Sequence, residues 1–156
     1  MSAAARRLLV VHHTTSPTLQ ELLEAVLAGA CDDAIEGVEV VTRAALTAGP
    51  ADVLDADAYL LGTPANIGYM SGALKHFFDQ IYYPCLEQTQ RRPYALYVHG
   101  NNDTSGAVRA VESIATGLGW RRVREPVTVI GGVDQAVRDA CWELGASVAA
   151  GLTMPT

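Results

Sequence analysis

The sequence predicts a doubly wound α/β fold, in which helices cover both faces of a five-stranded parallel sheet. Short, continuous apolar segments recur along the chain, and this pattern is typical of strands that are buried on both faces of a sheet. Segments with apolar residues at helical spacing lie between them. The alternation of the two patterns predicts the fold class, and no linker or repeat interrupts it.

The first half of the chain alternates strand, helix, strand, helical turn and strand. Its predicted strands are 8–12, 38–41 and 58–61. Ser16 and Pro17 predict a helix start, because serine is a favoured N-cap and proline fits the first helical position. Apolar residues follow at helical spacing, and we expect Gly29 to end this helix. Residues 50–54 are predicted to form a single helical turn.

The second half of the chain repeats the alternation. Ser71 is the expected N-cap of a helix whose apolar face continues to Ile81. The following helix begins after Thr104 or Ser105, and the last helix carries Cys141 on its apolar face. The two remaining predicted strands are 94–98 and 127–130.

Composition limits the kinds of partner. A chain of 156 residues has the size of one domain, predicted to cover 1–156. Hydrophobic residues make up 49% and charged residues 18%, which excludes a disordered protein. A net charge of −6 argues against binding to nucleic acid or to an anionic membrane. The apolar runs are too short to span a bilayer, so no membrane insertion is expected.

The cysteines and the N-terminus predict a cytoplasmic location. Cys31, Cys85 and Cys141 are odd in number and widely spaced, and no CxxC pair occurs. We therefore expect reduced thiols that pack in the protein rather than act as nucleophiles. The N-terminal residues do not have the pattern of a signal peptide.

The loop after strand one is a candidate anion site. Its residues are His13, Thr14, Thr15, Ser16, Pro17 and Thr18. A helix N-terminus offers free backbone N–H groups and a favourable dipole, and the hydroxyl groups add donors. No Lys or Arg lies between residues 8 and 42, and neither GxxxxGK[ST] nor GxGxxG occurs. The pattern favours one phosphate held by neutral donors over a nucleoside triphosphate or a dinucleotide. The alternative is that these residues only cap a helix.

The loop after strand three carries the most specific motif. Its candidate site residues are Thr63, Pro64, Ala65, Asn66, Ile67, Gly68, Tyr69 and Met70. Gly-Thr-Pro at 62–64 and Gly-Tyr-Met-Ser-Gly-Ala-Leu-Lys at 68–75 resemble the flavodoxin-like family. The resemblance is strongest to its NAD(P)H:quinone oxidoreductases and NADPH-dependent FMN reductases. Thr15 and Thr18 align with the threonines of that family's phosphate loop, and the order of elements matches from residue 7 to about residue 152.

This resemblance implies a flavodoxin-like three-layer sandwich with strand order 2-1-3-4-5. It also implies that FMN binds with its phosphate on the first loop and its isoalloxazine against the second. The expected activity is NAD(P)H-dependent reduction of a quinone or another small acceptor. Relatives are often dimers or tetramers, which favours the aromatic segment 82–86 as a subunit contact. Core packing under the sheet edge is the alternative for this segment.

The loop after strand four is the third candidate segment. It covers residues 99–106, and its candidate site residues are His99, Gly100, Asn101, Asn102 and Asp103. The resemblance places it along the pyrimidine side of the flavin, where it would offer backbone and amide hydrogen bonds. An ordinary Gly/Asn turn before a helix is the alternative interpretation.

Three residues depart from the family pattern. His13 stands where the family has Ser or Thr, and Ser16 stands where it has Gly. Ile67 occupies a position at which relatives often carry an aromatic residue that covers the flavin. A flavodoxin-fold protein with weak or lost FMN binding is therefore one alternative to the reductase.

Two other functions are not favoured. Receiver domains share this topology, but their acidic pair, aspartate and lysine are replaced here by His12-His13, Gly62-Thr63 and Gly131-Gly132. No His or Cys pair has the spacing of a metal site, and neighbouring strand residues point to opposite faces. No metal is expected.

A one-electron flavodoxin-type carrier remains a further alternative. Such carriers gather carboxylates around the flavin, whereas residues 62–78 contain no acid and the third loop contains only Asp103. The shortage of acids favours a two-electron reductase that admits NAD(P)H, itself an anion. The sequence identifies no catalytic residue, and His99 and Tyr69 are candidates by position only.

Overall fold

The computed structural model describes residues 5–154. Its strands are β1 (Arg6–His12), β2 (Val38–Ala44), β3 (Ala58–Asn66), β4 (Tyr69–Met70), β5 (Pro93–Gly100), β6 (Arg121–Arg122) and β7 (Val127–Ile130). Its helices are α1 (Pro17–Ala30), α2 (Pro50–Leu54), α3 (Gly72–Cys85), α4 (Ser105–Gly117) and α5 (Gln135–Gly151). Each predicted strand and helix is present.

The sheet has the predicted strand order. The parallel strands run β2-β1-β3-β5-β7, which is the order 2-1-3-4-5 of the five predicted strands. The sheet has seven strands rather than five, because β4 pairs antiparallel with β3 and β6 pairs with the start of β5. β6 and β7 both pair with β5 and are separated by 123–126, where Pro126 has no N–H to donate to a ladder.

Strand alternation divides the core into two layers. Leu8 and Val10 of β1 pack with α1 and α5, whereas Leu9 and Val11 pack on the other face with α3 and α4. All four side chains are fully buried. Burial on both faces is the reason that β1 is a continuous apolar run rather than an alternating one. No helix within residues 5–154 is long and apolar enough to cross a membrane.

Gly29 does not end the first helix, contrary to the sequence prediction. It lies inside α1, which continues to Ala30, and a Cβ atom at Gly29 would lie 1.9 Å from the Trp142 carbonyl oxygen of α5. Gly145 of α5 makes the reciprocal approach, with a built Cβ 2.0 Å from the Val26 carbonyl oxygen. The two glycines let the helices pack backbone to backbone, so packing explains Gly29.

A tight hairpin forms at the end of β3. Asn66 pairs with Tyr69, so that Ile67 and Gly68 alone make the turn. Both have positive φ values, 50° and 73°, as a type I′ turn requires. A β-branched residue rarely adopts this backbone conformation, and Ile67 gains no packing from it because its side chain is fully exposed. The turn therefore stores strain at the edge of the sheet.

Replacing Ile67 with Asn should stabilise the protein by about 1 kcal/mol, because Asn tolerates the left-handed conformation and no buried contact is lost. Urea denaturation of the two proteins, without ligand, measures the difference. Leu46, another exposed apolar residue, provides the control variant Leu46→Asn, which should change stability little. Equal or lower stability of Ile67→Asn would show that the turn is not strained by the side chain.

Candidate functional site

The parallel register brings the three predicted loops to one edge of the sheet. His12, Gly62 and Tyr97 are direct neighbours across β1, β3 and β5. The His13 N–H donates to the Gly62 carbonyl oxygen at 3.0 Å, which ties the first loop to the second. A Cβ at Gly100 would lie 3.2 Å from the Ala65 Cβ, so the second and third loops are also in contact.

The first loop presents backbone donors at the start of α1. Ser16 is the N-cap, and its Oγ accepts from the Leu19 N–H at 3.2 Å. Its φ of −148° is ordinary extended backbone, so serine in place of the family's glycine causes no strain here. Among the described residues, the N–H groups of Thr14, Thr15 and Thr18 have no hydrogen-bond partner. These donors, together with the helix dipole, suit an anion.

Two histidines stand at the start of this loop: His12 precedes it, and His13 is its first residue. His12 Nδ1 lies 2.7 Å from Thr14 Oγ1. Burial, and secondarily the neighbouring His13, lower the pKa of His12, which keeps the imidazole neutral near pH 7. His13 Nδ1 is buried and has no hydrogen-bond partner within residues 5–154. A buried polar nitrogen without a partner is costly in a folded protein, and an anion that accepts its hydrogen bond would remove this cost. The residues present therefore fit a phosphate group.

In the second loop, some candidate residues are buried and hold the loop in place, whereas others are exposed. Thr63 is fully buried, and its Oγ1 donates to the Pro64 carbonyl oxygen at 2.8 Å and accepts from the Ser71 N–H at 3.0 Å. Met70 is buried in the α3 and α4 layer. These two side chains fix the hairpin, while Ile67 and Tyr69 are exposed at its end.

The hairpin is braced against α4 by a glycine contact. A Cβ at Gly106 would lie 2.0 Å from the Gly68 carbonyl oxygen. Only glycine allows this approach, so Gly106 sets where the hairpin rests. Gly106 ends the third predicted loop but was not among its candidate site residues, because the contact joins residues from separate elements.

The third loop is held by its own side chains. His99 Nε2 donates to the Gly131 carbonyl oxygen at 2.8 Å. The Asp103 carboxylate accepts from the Ser105 N–H at 3.0 Å and from Ser105 Oγ at 2.8 Å. These hydrogen bonds hold the pKa of Asp103 below its usual range, so the carboxylate stays ionised. Asn101 and Asn102 are exposed beside it.

Tyr97 explains a glycine of the sequence motif. Its side chain is fully buried, and a Cβ at Gly62 would lie 2.0 Å from the Tyr97 Cζ. The ring therefore occupies the space that any other residue at position 62 would need. Burial raises the pKa of Tyr97, and its hydroxyl group has no hydrogen-bond partner among the described residues.

Other reactive groups are away from this edge or unreactive. Burial raises the pKa of the Cys85 thiol, and it raises the pKa of Cys141 to about 11, so both thiols stay protonated. Cys31 is exposed, and all three cysteines are free. Within residues 5–154, no group of three or more His, Cys, Asp or Glu side chains is arranged to hold a metal ion.

The sheet order and the three loops at its carboxyl edge define a flavodoxin-like α/β protein. The model of the NADPH-dependent FMN reductase family matches residues 4–135. The chain belongs to this family.

Flavodoxins are similar to this chain in part of the sequence and in fold. A flavodoxin from Aquifex aeolicus is 35% identical over 75 residues, which are 48% of this chain and 40% of that protein. Among solved structures, a flavodoxin from the domain Archaea superposes with a TM-score of 0.79 at 15% identity, covering 95% of this chain and 99% of that one. A WrbA-like flavodoxin from Agrobacterium tumefaciens gives a TM-score of 0.78 at 20% identity, covering 96% and 98%. The two structures support the fold.

The lowered pKa of His12 predicts a pH-dependent stability. The folded protein binds this proton less readily than the unfolded chain, so the contribution of His12 to stability falls as the pH drops through the unfolded pKa of about 6.5. Asn at position 12 keeps a polar group near the place of Nδ1 but does not titrate. Urea denaturation of the ligand-free protein at pH 5, 6 and 7 should show a shallower loss of stability for His12→Asn than for wild type.

The control for this experiment is His76→Asn, which changes an exposed histidine on α3. It should leave the wild-type slope unchanged. If His12→Asn and wild type lose stability in parallel, His12 does not have a lowered pKa.

Proposed function

We propose that the protein is an FMN-dependent oxidoreductase, which takes electrons from NAD(P)H and delivers them to a quinone or another small acceptor. The observation that carries the proposal is the meeting of a neutral anion-binding loop and the 63–70 hairpin at one edge of the sheet. Family membership supports FMN as the group that such an edge would hold.

The FMN phosphate would lie on residues 13–18. The N–H groups of Thr14, Thr15 and Thr18 would donate to its oxygens, and so would His13 Nδ1 when that nitrogen carries the ring hydrogen. The isoalloxazine would rest against residues 63–70, with Ile67 and Tyr69 as exposed apolar neighbours. Residues 99–103 would border its polar edge. The loop would hold the phosphate without a Lys or Arg, so its affinity rests on directed hydrogen bonds.

The reaction balances as a two-electron transfer. NAD(P)H gives up a hydride, which carries two electrons and one proton, and becomes NAD(P)⁺. A quinone takes up these two electrons, that proton and a second proton from solvent to become a quinol. When bound, FMN supplies the redox chemistry that carries the two electrons between them. The chain's own contribution is to bind, to orient and to set the charge around the site.

A cavity beside the hairpin is a suitable place for the nicotinamide nucleotide. It has a volume of about 330 Å³, and its lining includes Gly68, Tyr69, Arg109 and Ser113. Arg109 is the cation of this lining, and it is exposed. A guanidinium group is well suited to a nucleotide phosphate. We therefore propose that NAD(P)H approaches the flavin from this side.

The distribution of charge favours the reductase over a one-electron carrier. Residues 13–18, 63–70 and 99–103 contain one carboxylate, that of Asp103. One carboxylate cannot form the acidic surface that steers a basic redox partner. An anionic hydride donor meets correspondingly little repulsion.

Two further expectations remain proposals. Tyr82 and Tyr83 stack edge to face at the end of α3, and Tyr83 is 81% exposed. They border an apolar recess with Phe78 and Ile114, which suits contact with a second copy of the chain in a homodimer or tetramer.

We also propose that the chain functions in the cytoplasm as one domain, in agreement with its free cysteines.

The protein should bind one FMN with saturation at micromolar concentration, followed by quenching of flavin fluorescence. Thr15→Val and Thr18→Val should each weaken binding about tenfold, because each removes a donor from the phosphate site. Thr116→Val, which removes an exposed hydroxyl on α4, should bind as wild type does. Absence of saturable binding would identify a flavodoxin-fold protein that has lost its flavin.

Stopped-flow mixing of the FMN-loaded protein with NADH or NADPH, without oxygen, tests the electron donor. Oxidised-flavin absorbance should bleach in one step, without the long-wavelength absorbance of half-reduced flavin. Arg109→Ala should raise the nucleotide concentration needed for half-maximal rate about tenfold and leave FMN affinity unchanged.

A different result of the stopped-flow experiment would identify a one-electron carrier. If neither nucleotide reduces the flavin, but a flavodoxin-type reductase does so in two separate one-electron steps, the protein is a one-electron carrier.

A further inference from the structure

His12 contacts the phosphate loop although it belongs to the sheet. It is the last residue of β1, and strand alternation places it on the α1 and α5 face with Val10. Its Nδ1 is 2.7 Å from Thr14 Oγ1, two residues further along the chain. The hydrogen bond therefore links the rigid end of the strand to a loop hydroxyl group.

The surroundings of His12 restrict its ring. The sheet register places it beside Gly62, which has no side chain. On the other side of Gly62, Tyr97 of β5 fills with its ring the space that a Gly62 side chain would occupy. His13 then leaves the sheet, and its N–H is fixed on the Gly62 carbonyl oxygen. The backbone on both sides of the His12 side chain is thus held by the sheet, so its contact with Thr14 comes from a fixed position.

Whether His12 or Thr14 donates the hydrogen bond between them decides whether the Thr14 hydroxyl proton is available to a ligand. A threonine hydroxyl group has one proton to donate and two lone pairs that accept. If Thr14 donates to His12, its proton is used within the protein. If His12 donates from Nδ1, the Thr14 proton is free for a ligand. A neutral imidazole can adopt either tautomer.

We propose that His12 is a positioning residue of the phosphate loop, whose Nδ1–H donates to Thr14 Oγ1 and directs the Thr14 hydroxyl proton at the bound phosphate. The inference rests on the proposed binding of FMN. A phosphate that only accepts hydrogen bonds selects the tautomer in which Thr14 is free to donate. In a loop without Lys or Arg, a directed hydroxyl group is a substantial share of the binding interactions.

The test is a double-mutant cycle on FMN affinity, read by flavin fluorescence. His12→Phe keeps the ring volume and removes the nitrogen, and Thr14→Val keeps the side-chain shape and removes the hydroxyl group. Each single variant should bind FMN about tenfold more weakly, and the double variant should be no weaker than either, because both remove the same interaction. His12→Asn, which can donate from nearly the same place, should restore affinity to within about threefold of wild type.

Riboflavin, which lacks the phosphate, separates positioning from general damage. The affinity for riboflavin should be the same in all of these proteins, since the ring and ribityl contacts are unchanged. Thr47→Val, which removes a hydroxyl group bonded to the Ala44 carbonyl oxygen outside the loops, serves as the matched control and should leave both affinities unchanged.

Each contrary result has a meaning. Additive losses in the double variant would overturn the proposal, and so would equal losses for FMN and riboflavin. Unchanged or tighter FMN binding by His12→Phe would show that Thr14 donates to His12 instead. Wild-type protein that binds riboflavin but gains nothing from the phosphate would overturn this inference and the placement of the phosphate on residues 13–18, while leaving a flavin-dependent oxidoreductase in place. Wild-type protein that binds neither ligand would overturn the proposed function as well.

Discussion

The parallel register of β1, β3 and β5 is the constraint on which the site depends. Backbone hydrogen bonds align His12, Gly62 and Tyr97 across three strands, so the loops that follow begin at the same height. Two buried apolar layers hold these strands from both sides. A site built on strand ends inherits the rigidity of the sheet, which is what a ligand with separate phosphate and ring contacts requires.

Glycines that allow close backbone contacts position the elements around the strand ends. Gly62 makes room for Tyr97, and Gly106 admits the Gly68 carbonyl oxygen. Gly29 and Gly145 bring α1 against α5. Each is a place where one added carbon atom would displace backbone or a buried ring. The proposed phosphate loop at the start of α1 and the hairpin beside α4 are therefore positioned by backbone approaches that involve none of the proposed ligand-binding side chains.

The proposed anion site of residues 13–18 contains no Lys or Arg side chain. Backbone N–H groups, hydroxyl groups and two histidines take their place. Neutral donors give geometric selection rather than long-range attraction. The same edge carries a strained, exposed Ile67, and a local conflict of this kind is more often found at functional sites than elsewhere in a fold.

The sequence by itself determined the fold class and the three loops, because apolar periodicity and capping residues such as Ser16 and Ser71 act over a few neighbouring positions. The strand order was predicted only from the resemblance of the second-loop motif to the flavodoxin-like family. Only the tertiary structure decided which residues of those loops are buried and which are exposed. Thr63 reads as a binding residue in the motif, yet it is buried in hydrogen bonds to its own loop. His12 reads as the end of a strand, yet it contacts Thr14, and Gly29 reads as a helix end, yet it is a packing contact. These roles depend on register and on the approach of distant elements, which local sequence patterns do not encode.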